Sequence, residues 1–422
     1  MNIVTIILAA GKGTRMKSNL PKVLHKVCGK PMLEHVIETA KNAGSSREVV
    51  IIGSGAEEVK KNISGVEFAL QAEQLGTGHA VKMAKDKLAD VDGTVMILCG
   101  DTPLITSDLL KSFIDSHNKS KAAATVLTAI MPDATGYGRI VRNQSGTVDK
   151  IVEHKDANED ELQIHEVNAG IYCFDKKILF DALDQVTNDN AQGEYYLTDV
   201  LGIIRSQGLV INAMISNDFT QILGINSRQQ LALAERILRQ RKNFELMDSG
   251  VTILDPDSTF IDSNVEIGRD TIIYPFTFIE GNIKIGENCS IGPFVHIRPG
   301  SKIGDKVKIG NFVEVKNSNI GEGTKLPHLQ YIGDSDVGSN VNIGCGTVTC
   351  NYDGKNKFRT TIGNNVFVGC NTNLVAPVNV GDNVYIAAGS TINQDIPKDN
   401  LAIARARQVN KSNWKDRRSE NN

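Results

Sequence analysis

From position 261 the chain carries an aliphatic residue at every sixth position: Ile261, Ile267, Ile273, Ile279, Ile285, Ile291, Ile297, Ile303, Ile309 and Val315. The count lapses, then resumes at Ile362, Val368, Leu374, Val380, Ile386 and Ile392. A period of six belongs to neither an α-helix nor a simple strand. It is the hexapeptide repeat of a left-handed parallel β-helix, whose aliphatics point into a three-sided prism. The fourth residue after the aliphatic is small or β-branched in most repeats (Thr271, Thr277, Cys289, Val295, Ser301, Val307, Val313), so it too can face inward. The residue directly after the aliphatic is often glycine (Gly268, Gly286, Gly292, Gly304, Gly310, Gly363, Gly369, Gly381), which predicts a tight turn there. One coil cannot cover its own apolar face, so a long array is required. Such prisms often trimerise and place acyl-transfer sites between subunits. A bare oligomerisation scaffold is the alternative.

Before the repeats the pattern alternates between strand and helix. Apolar runs at residues 3–8, 49–52, 66–70, 95–98 and 123–130 are separated by helical stretches such as 107–117, with Thr106 or Ser107 as cap. This predicts an α/β Rossmann-like domain, a mostly parallel sheet with helices on both faces. Ligands bind beyond the carboxyl ends of such strands. Residues 227–247 read SRQQLALAERILRQRKNFELM, with Leu231, Leu233, Ala234, Ile237, Leu238 and Leu246 as an apolar stripe. Ser227 can cap this helix and Gly250 can stop it. The expected order is a nucleotide-binding domain over 1–225, a linker helix over 226–247, and a β-helix domain with a C-terminal tail over 248–422.

The totals narrow the classes. A net charge of -3 over 422 residues supplies no bulk field to recruit nucleic acid. The basic tail from Arg405 and Arg407 to Lys415, Arg417 and Arg418 is a local exception, read as a solvated terminus. Seven scattered cysteines with no CxxC pair argue against a zinc site and for reduced thiols in a cytoplasmic protein. The opening MNIVTIILAAGKG reads as a buried strand rather than a signal peptide, and no stretch is long enough to span a membrane.

Candidate chemistry falls at the predicted strand ends. Leu8-Ala9-Ala10-Gly11-Lys-Gly13-Thr-Arg15 follows the first strand, where glycines let backbone N–H groups approach phosphate oxygens and Arg15 adds charge. It is neither a Walker A loop nor GxGxxG, and alone it could be a plain turn. Lys22 places a second cation nearby. Asp101 ends the strand at 95–98, well placed to hold Mg²⁺; an Asp capping the next helix is the alternative. Gln71 to Gly78 offers an amide and exposed backbone to a base edge.

In the second half the six-residue count fails twice, between Val315 and Ile343 and between Thr349 and Ile362. Both breaks are polar, and an interrupted solenoid usually carries a loop on a functional face. The first contains His328 and Tyr331; the second contains Asn351, Tyr352 and Lys357. A histidine can accept a proton at neutral pH. A structural role for His328 is the alternative.

LAAGKGTRM, PKVLH, QAEQLGTGHA, GDTPLI, GYGRI, IVEHKD, VNAGIY and LGINSR occur here in the order seen in sugar-1-phosphate nucleotidyltransferases. With the β-helix, the chain resembles the bifunctional N-acetylglucosamine-1-phosphate uridyltransferases/glucosamine-1-phosphate acetyltransferases nearly end to end. The resemblance implies that Leu8, Ala9, Ala10, Gly11, Gln71, Gly76 and Thr77 hold uridine. It gives Arg15 and Lys22 the triphosphate of UTP, and Asp101 with Asn226 the Mg²⁺. Gly138, Glu153, Asn168 and Asn226 would complete the site for N-acetylglucosamine-1-phosphate. Cys99 stands where some members carry Tyr. In the other half, Arg298, Lys316, Tyr331, Asn342 and Lys357 would bind glucosamine-1-phosphate. His328 would be the general base. Cys345, Asn351, Tyr352, Cys370, Ala388 and Arg405 would meet acetyl-CoA, with Cys345 and Cys370 where some members carry Ala and Ser. A nucleophilic Cys370 is the alternative to direct attack by the substrate amine. The family reading implies two reactions and a homotrimer. A single-activity nucleotidyltransferase with a scaffold prism, and a non-catalytic regulator, are the competing readings; His328, Lys357 and the Asn351–Tyr352 loop count against the first, and Arg15, Lys22, Asp101 and Asn226 against the second.

Overall fold

The computed structural model describes residues 2–414. The chain divides into two compact units between Leu238 and Arg239. The first is built on strands β1 (Ile3–Ala9), β2 (Arg47–Ile52), β3 (Glu67–Leu70), β4 (Thr94–Cys99), β5 (Ala124–Ile130), β6 (Arg139–Arg142), β7 (Val148–Val152), β8 (Glu166–Asp175) and β9 (Ile211–Ser216). The main sheet runs β9-β5-β8-β4-β1-β2-β3. All neighbours along it are parallel except β8, which is antiparallel to both β4 and β5. The five apolar runs of the sequence form β1 to β5. β1, β2, β4 and most of β5 are buried on both faces, as helix-covered parallel strands must be, whereas the edge strand β3 leaves Leu70 56% exposed. Leu33, Val36 and Phe113 pack on Val50 and Leu98 on one face; Val81, Leu179 and Val200 pack on Ile6 and Ile97 on the other.

Strands β6 to β9 carry no clean pattern in the sequence. The register of β8 shifts between Asn168 and Tyr172, where Gly170 takes a φ of 72°. That irregularity breaks the two-residue alternation by which a strand is recognised. Helix α1 (Ser107–Ser120) starts as expected, the Thr106 hydroxyl accepting from the Leu109 N–H at 3.3 Å. Helix α2 (Arg228–Asp248) begins where Ser227 Oγ accepts from Gln230 N–H at 3.2 Å, and ends before Gly250 at φ 98°. Ala234 and Leu246 are buried, but Leu233 is 47% exposed. It stands two residues from Leu231, about 200° around the helix, and so leaves the stripe it was assigned to.

The second unit is the expected prism. Its three faces are stacks of parallel rungs. Face A runs from Glu266–Ile267 to Val378–Val380, face B from Thr252–Ile253 to Leu401–Ala402, and face C from Phe260–Ile261 to Thr391–Ile392. The six-residue aliphatics form one continuous core. Thr271, Thr277, Cys289, Val295, Ser301, Val307 and Val313 are buried beside them.

Two expectations need correction. The repeat glycines are not, as a class, the turn residues. A Cβ on Gly286 would lie 2.7 Å from both the Gly304 carbonyl carbon and the Asp305 nitrogen of the next coil. This glycine is needed because coils approach closely there. The left-handed turn comes two residues later, at Asn288 with φ 56°, and equivalent places are filled by Asp270, Phe294 and Lys306. The first break in the count is likewise not a loop. Lys325–Gly333 is a strand in continuous register with Lys308–Lys316. Earlier coils pair residues eighteen apart, such as Ile279 with Ile297; here Ile309 pairs with Leu326, seventeen on. Shortening each coil by one residue shifted the phase and hid the strand. The second break is a true insertion: Val337 pairs with Ile362, and the extra residues fold into a hairpin bridged by Tyr352 and Lys357.

Candidate active sites

The first site is a cleft beyond the carboxyl ends of β1, β3 and β4. Leu8, Ala9, Ala10, Gly11, Lys22, Gln71, Gly76, Thr77, Cys99 and Asp101 all line it. Lys22 Nζ forms a short ion pair with Asp101 Oδ2 and donates to Asn226 Oδ1 at 2.8 Å. The Ile225 N–H donates to the Asp101 carbonyl at 2.9 Å, which brings a segment from just before α2 against the end of β4. Asp101 is therefore not a helix cap. Its carboxylate and the Asn226 amide oxygen converge on one cation, here the lysine ammonium. Two hard oxygens with room for waters and phosphates suit Mg²⁺, which seldom takes an all-protein cage. Among the described residues no group of three His, Cys, Asp or Glu assembles a fuller metal site. Arg15 lies exposed on the turn Thr14–Met16, outside the cleft lining.

The loop after β3 is clamped rather than free. Buried Gln71 donates through Nε2 to the Gly76 carbonyl at 3.0 Å and meets His79 Nδ1 at 3.1 Å. Gly76 has φ 111°, and a Cβ there would lie 2.6 Å from the Tyr195 carbonyl. The Thr77 hydroxyl accepts from the Leu197 N–H at 3.0 Å, so it serves the fold as well as the cleft. This clamp puts Gln74 and Glu194 on the cleft wall, two residues that pattern reading missed. Gln74 sits inside the QAEQLGTGHA motif; Glu194 lies in a polar segment with no periodic signal.

Gly138, Glu153 and Asn168 come together nearby. The Asn168 N–H donates to the Gly138 carbonyl at 2.9 Å, and a Cβ on Gly138 would lie 3.5 Å from Glu153 Oε2. Asn168 Nδ2 donates to the Tyr172 hydroxyl at 2.6 Å. Burial raises the Glu153 carboxyl above its ordinary value, opposed by a hydrogen bond from Thr198 and reinforced by Asp156 and Asp199. Cys99 joins the two halves of the cleft. Its thiol donates to the Gly170 carbonyl at 3.5 Å, and burial followed by the Asp101 charge pushes it up to about 12. It stays a neutral thiol.

The second site lies on the prism. His328 is exposed on its strand, and Nδ1 meets Asn311 Oδ1 of the preceding coil at 3.1 Å. With the Asn311 amide oxygen as acceptor, Nδ1 carries the proton of the neutral ring and Nε2 is the nitrogen that can take another. Asn311 was missed by sequence reading because the phase shift hid its pairing with His328. The register Lys325↔Asn342↔Phe367↔Tyr385 carries His328 onto Cys345, Cys370 and Ala388 of successive coils. These residues form a column at the corner between faces B and C. Arg405 closes its far end, Nη1 donating to the Ala388 carbonyl at 2.7 Å. Lys415, Arg417 and Arg418 lie outside the described residues.

Face C carries a separate cationic cluster. Arg298 pairs in register with Lys316, and its Nη1 bonds Glu314 at 2.9 Å. Lys316 Nζ lies 3.6 Å from Asp334, whose carboxylate also takes bonds from Asn317 and Asn351. Asn351 Nδ2 reaches the Tyr331 hydroxyl at 3.3 Å. Lys357 is held below the ordinary lysine range by neighbouring Lys316. Arg298, Lys316 and Lys357 thus crowd one spot, the arrangement a phosphate would relieve. Tyr352 is exposed on the inserted hairpin. Asn342 is not with this group. It stands on face B, in line with Lys325 and Phe367.

Residues 4–219 match the nucleotidyl transferase family, and residues 282–317 and 359–394 match the bacterial transferase hexapeptide repeats. The bifunctional protein GlmU of Shouchella clausii is 52% identical over 443 residues, covering 97% of this chain and 98% of that protein. Those of Clostridium beijerinckii and Geobacillus thermodenitrificans are each 52% identical over 98% of this chain. With both family models matched and this identity running nearly end to end, the chain belongs to the family of the bifunctional protein GlmU, a nucleotidyltransferase fold joined to a left-handed β-helix.

Proposed function

We propose that the first unit transfers UMP from UTP to N-acetylglucosamine-1-phosphate with release of pyrophosphate, and that the prism acetylates glucosamine-1-phosphate from acetyl-CoA. In segment terms, residues 1–225 carry uridylyl transfer, 226–247 link, and 248–422 carry acetyl transfer. The observation that carries this reading is that each unit has its own polar machinery: Lys22, Asp101 and Asn226 in one, Asn311 with His328 in the other. A scaffold prism has no need of an oriented histidine, so the single-activity reading is not favoured.

In the first unit the sugar phosphate oxygen attacks the α-phosphorus of UTP and pyrophosphate leaves. Lys22 and Arg15 offset charge growing on the leaving group. Asp101 and Asn226 would hold Mg²⁺, whose chemistry is to neutralise phosphate charge. The Leu8–Gly11 backbone, Gln71, Gly76 and Thr77 cradle uridine, and Gly138, Glu153 and Asn168 take the sugar. In the prism the 2-amino group attacks the thioester carbonyl, and His328 Nε2 takes the amine proton and passes it to the departing sulfur, so that coenzyme A leaves as a thiol. Arg298, Lys316, Lys357, Tyr331 and Asn342 hold the sugar phosphate; Asn351 and Tyr352 line the place of the acetyl-CoA. The column of Cys345, Cys370, Ala388 and Arg405 receives the coenzyme.

We read the assembly as a homotrimer, and the placement of these groups supports that reading. Asn342 is on one face of the prism and the phosphate cluster on the next, so a neighbouring chain would bring them together. The free cysteines favour a cytoplasmic setting. The test is mass spectrometry of purified protein with glucosamine-1-phosphate, acetyl-CoA, UTP and Mg²⁺, omitting each in turn. UDP-N-acetylglucosamine that requires all four is the expected product. Indifference to acetyl-CoA, with N-acetylglucosamine-1-phosphate having to be supplied, would reject the second activity.

A further inference from the structure

The corner column holds two cysteines on adjacent rungs. Asn342 pairs with Phe367 and Ile343 with Val368, so Cys345 and Cys370 occupy the same place in successive coils. The Asn371 N–H donates to the Cys345 carbonyl at 2.7 Å, which keeps the register tight through the corner itself. Neighbouring parallel strands lie about 4.8 Å apart. That separation falls inside the Cα···Cα window of about 4.4–6.8 Å in which a disulfide can close. Both thiols are free; Cys345 is half-buried and Cys370 exposed. Cys28, Cys173 and Cys289 are buried, and Cys350 stands on face C rather than in the column. One rung above Cys345 is His328, a base able to take a thiol proton.

We propose that Cys345 and Cys370 form a dithiol that low-molecular-weight disulfides of the coenzyme A type oxidise to an intrachain disulfide, closing the acetyl-transfer column. This rests on the reading that the column receives the coenzyme. The chemistry is thiol–disulfide exchange. The Cys370 thiolate attacks one sulfur of coenzyme A disulfide, forming a mixed disulfide and expelling one coenzyme A thiol. Cys345, deprotonated by His328 or solvent, then attacks the protein-side sulfur. The Cys345–Cys370 bond forms and the second coenzyme A thiol leaves with the proton. Two protein thiols are oxidised and one external disulfide is reduced to two thiols, so no further oxidant is needed. The new bond lies along the column and takes the space of the thioester arm, while the uridyltransferase cleft has no part in it.

The experiment treats the full chain with coenzyme A disulfide, and in parallel with glutathione disulfide, then maps peptides by mass spectrometry and assays both activities. The expected result is a Cys345–Cys370 cross-link, acetyl transfer reduced at least tenfold and restored by dithiothreitol, and uridylyl transfer unchanged. Cys345→Ala should instead retain a coenzyme A adduct on Cys370. Coenzyme A disulfide should react faster than glutathione disulfide. Equal rates would overturn recognition by the column. Absence of the cross-link, or full acetyl transfer by the cross-linked protein, would overturn the switch. An untreated protein with no acetyl transfer would defeat the functional reading instead, and the peptide map would still decide whether the dithiol forms.

Discussion

The two sites of this chain are assembled in opposite ways. In the α/β unit, Lys22, Asp101 and Asn226 come from segments remote in sequence, and three loops fold inward until their polar ends meet in one cleft. In the prism, functional groups are placed by counting. Asn311, His328, Cys345, Cys370 and Ala388 line up because each coil repeats the last. The cleft can close its machinery within one chain. The prism presents separate strips on separate faces. A globular sheet makes a concave site; a solenoid makes a ruled exterior.

The comparison can be broken by separating the two activities. His328→Ala should lower acetyl transfer by about 10²–10⁴-fold and leave uridylyl transfer untouched in paired assays of the same preparation. Parallel loss of both would mean the units are not independent. Asp101→Ala should do the reverse, lowering Mg²⁺-dependent uridylyl transfer about a hundredfold or more with acetyl transfer intact. A smaller effect is expected for Asn311→Ala. Losing the hydrogen bond that orients His328 is worth about 0.5–1.5 kcal/mol, so acetyl transfer should drop by up to about tenfold, in kcat rather than KM.

Stability sharpens the contrast between counting and folding. Gly286→Ala drives a methyl into the next coil and should cost about 1–3 kcal/mol in denaturant unfolding. Asn288→Ala, at the true turn, should cost about 1–2 kcal/mol, since only left-handed backbone is disfavoured there. If the Gly286 change cost nothing, close approach of the coils would not be what requires glycine there. The smallest effect belongs to the α/β unit's surface. Hydrogen bonds from Lys82 and Lys85 hold the Asp184 carboxyl at about 2, below its ordinary 3.8. A depressed carboxylate adds stability above the unfolded value and loses it as pH falls through the folded one. Asp184→Asn should therefore flatten the acid limb of stability between about pH 4 and 2, by little, because the pair is solvent-screened.

Much of this was legible in the residues. The six-residue period fixed the prism and its core from Ile261 to Ile392, and five apolar runs located the parallel strands. The motif strings alone place Lys22, Asp101 and Asn226 in one candidate site. What could not be read shares a physical cause. The strand Lys325–Gly333 looked like a loop because a one-residue shorter coil shifts phase without breaking the ladder. β8 was lost to its bulge. Glu194 and Asn311 owe their positions to a neighbouring segment or coil, and no local pattern marks them.

Sequence by itself determined what periodicity and composition control: which residues face inward, where strands recur, and which chemistry is on offer. Burial is decided residue by residue along the chain, so it leaves a repeating signature. Tertiary structure alone decided which polar groups meet. That Lys22 sits between Asp101 and Asn226, that Asn342 faces away from Arg298 and Lys316, and that Cys345 stacks between His328 and Cys370 are consequences of register and loop closure. Those depend on the whole chain's path, because a hydrogen bond between distant residues leaves no trace in the local order of either.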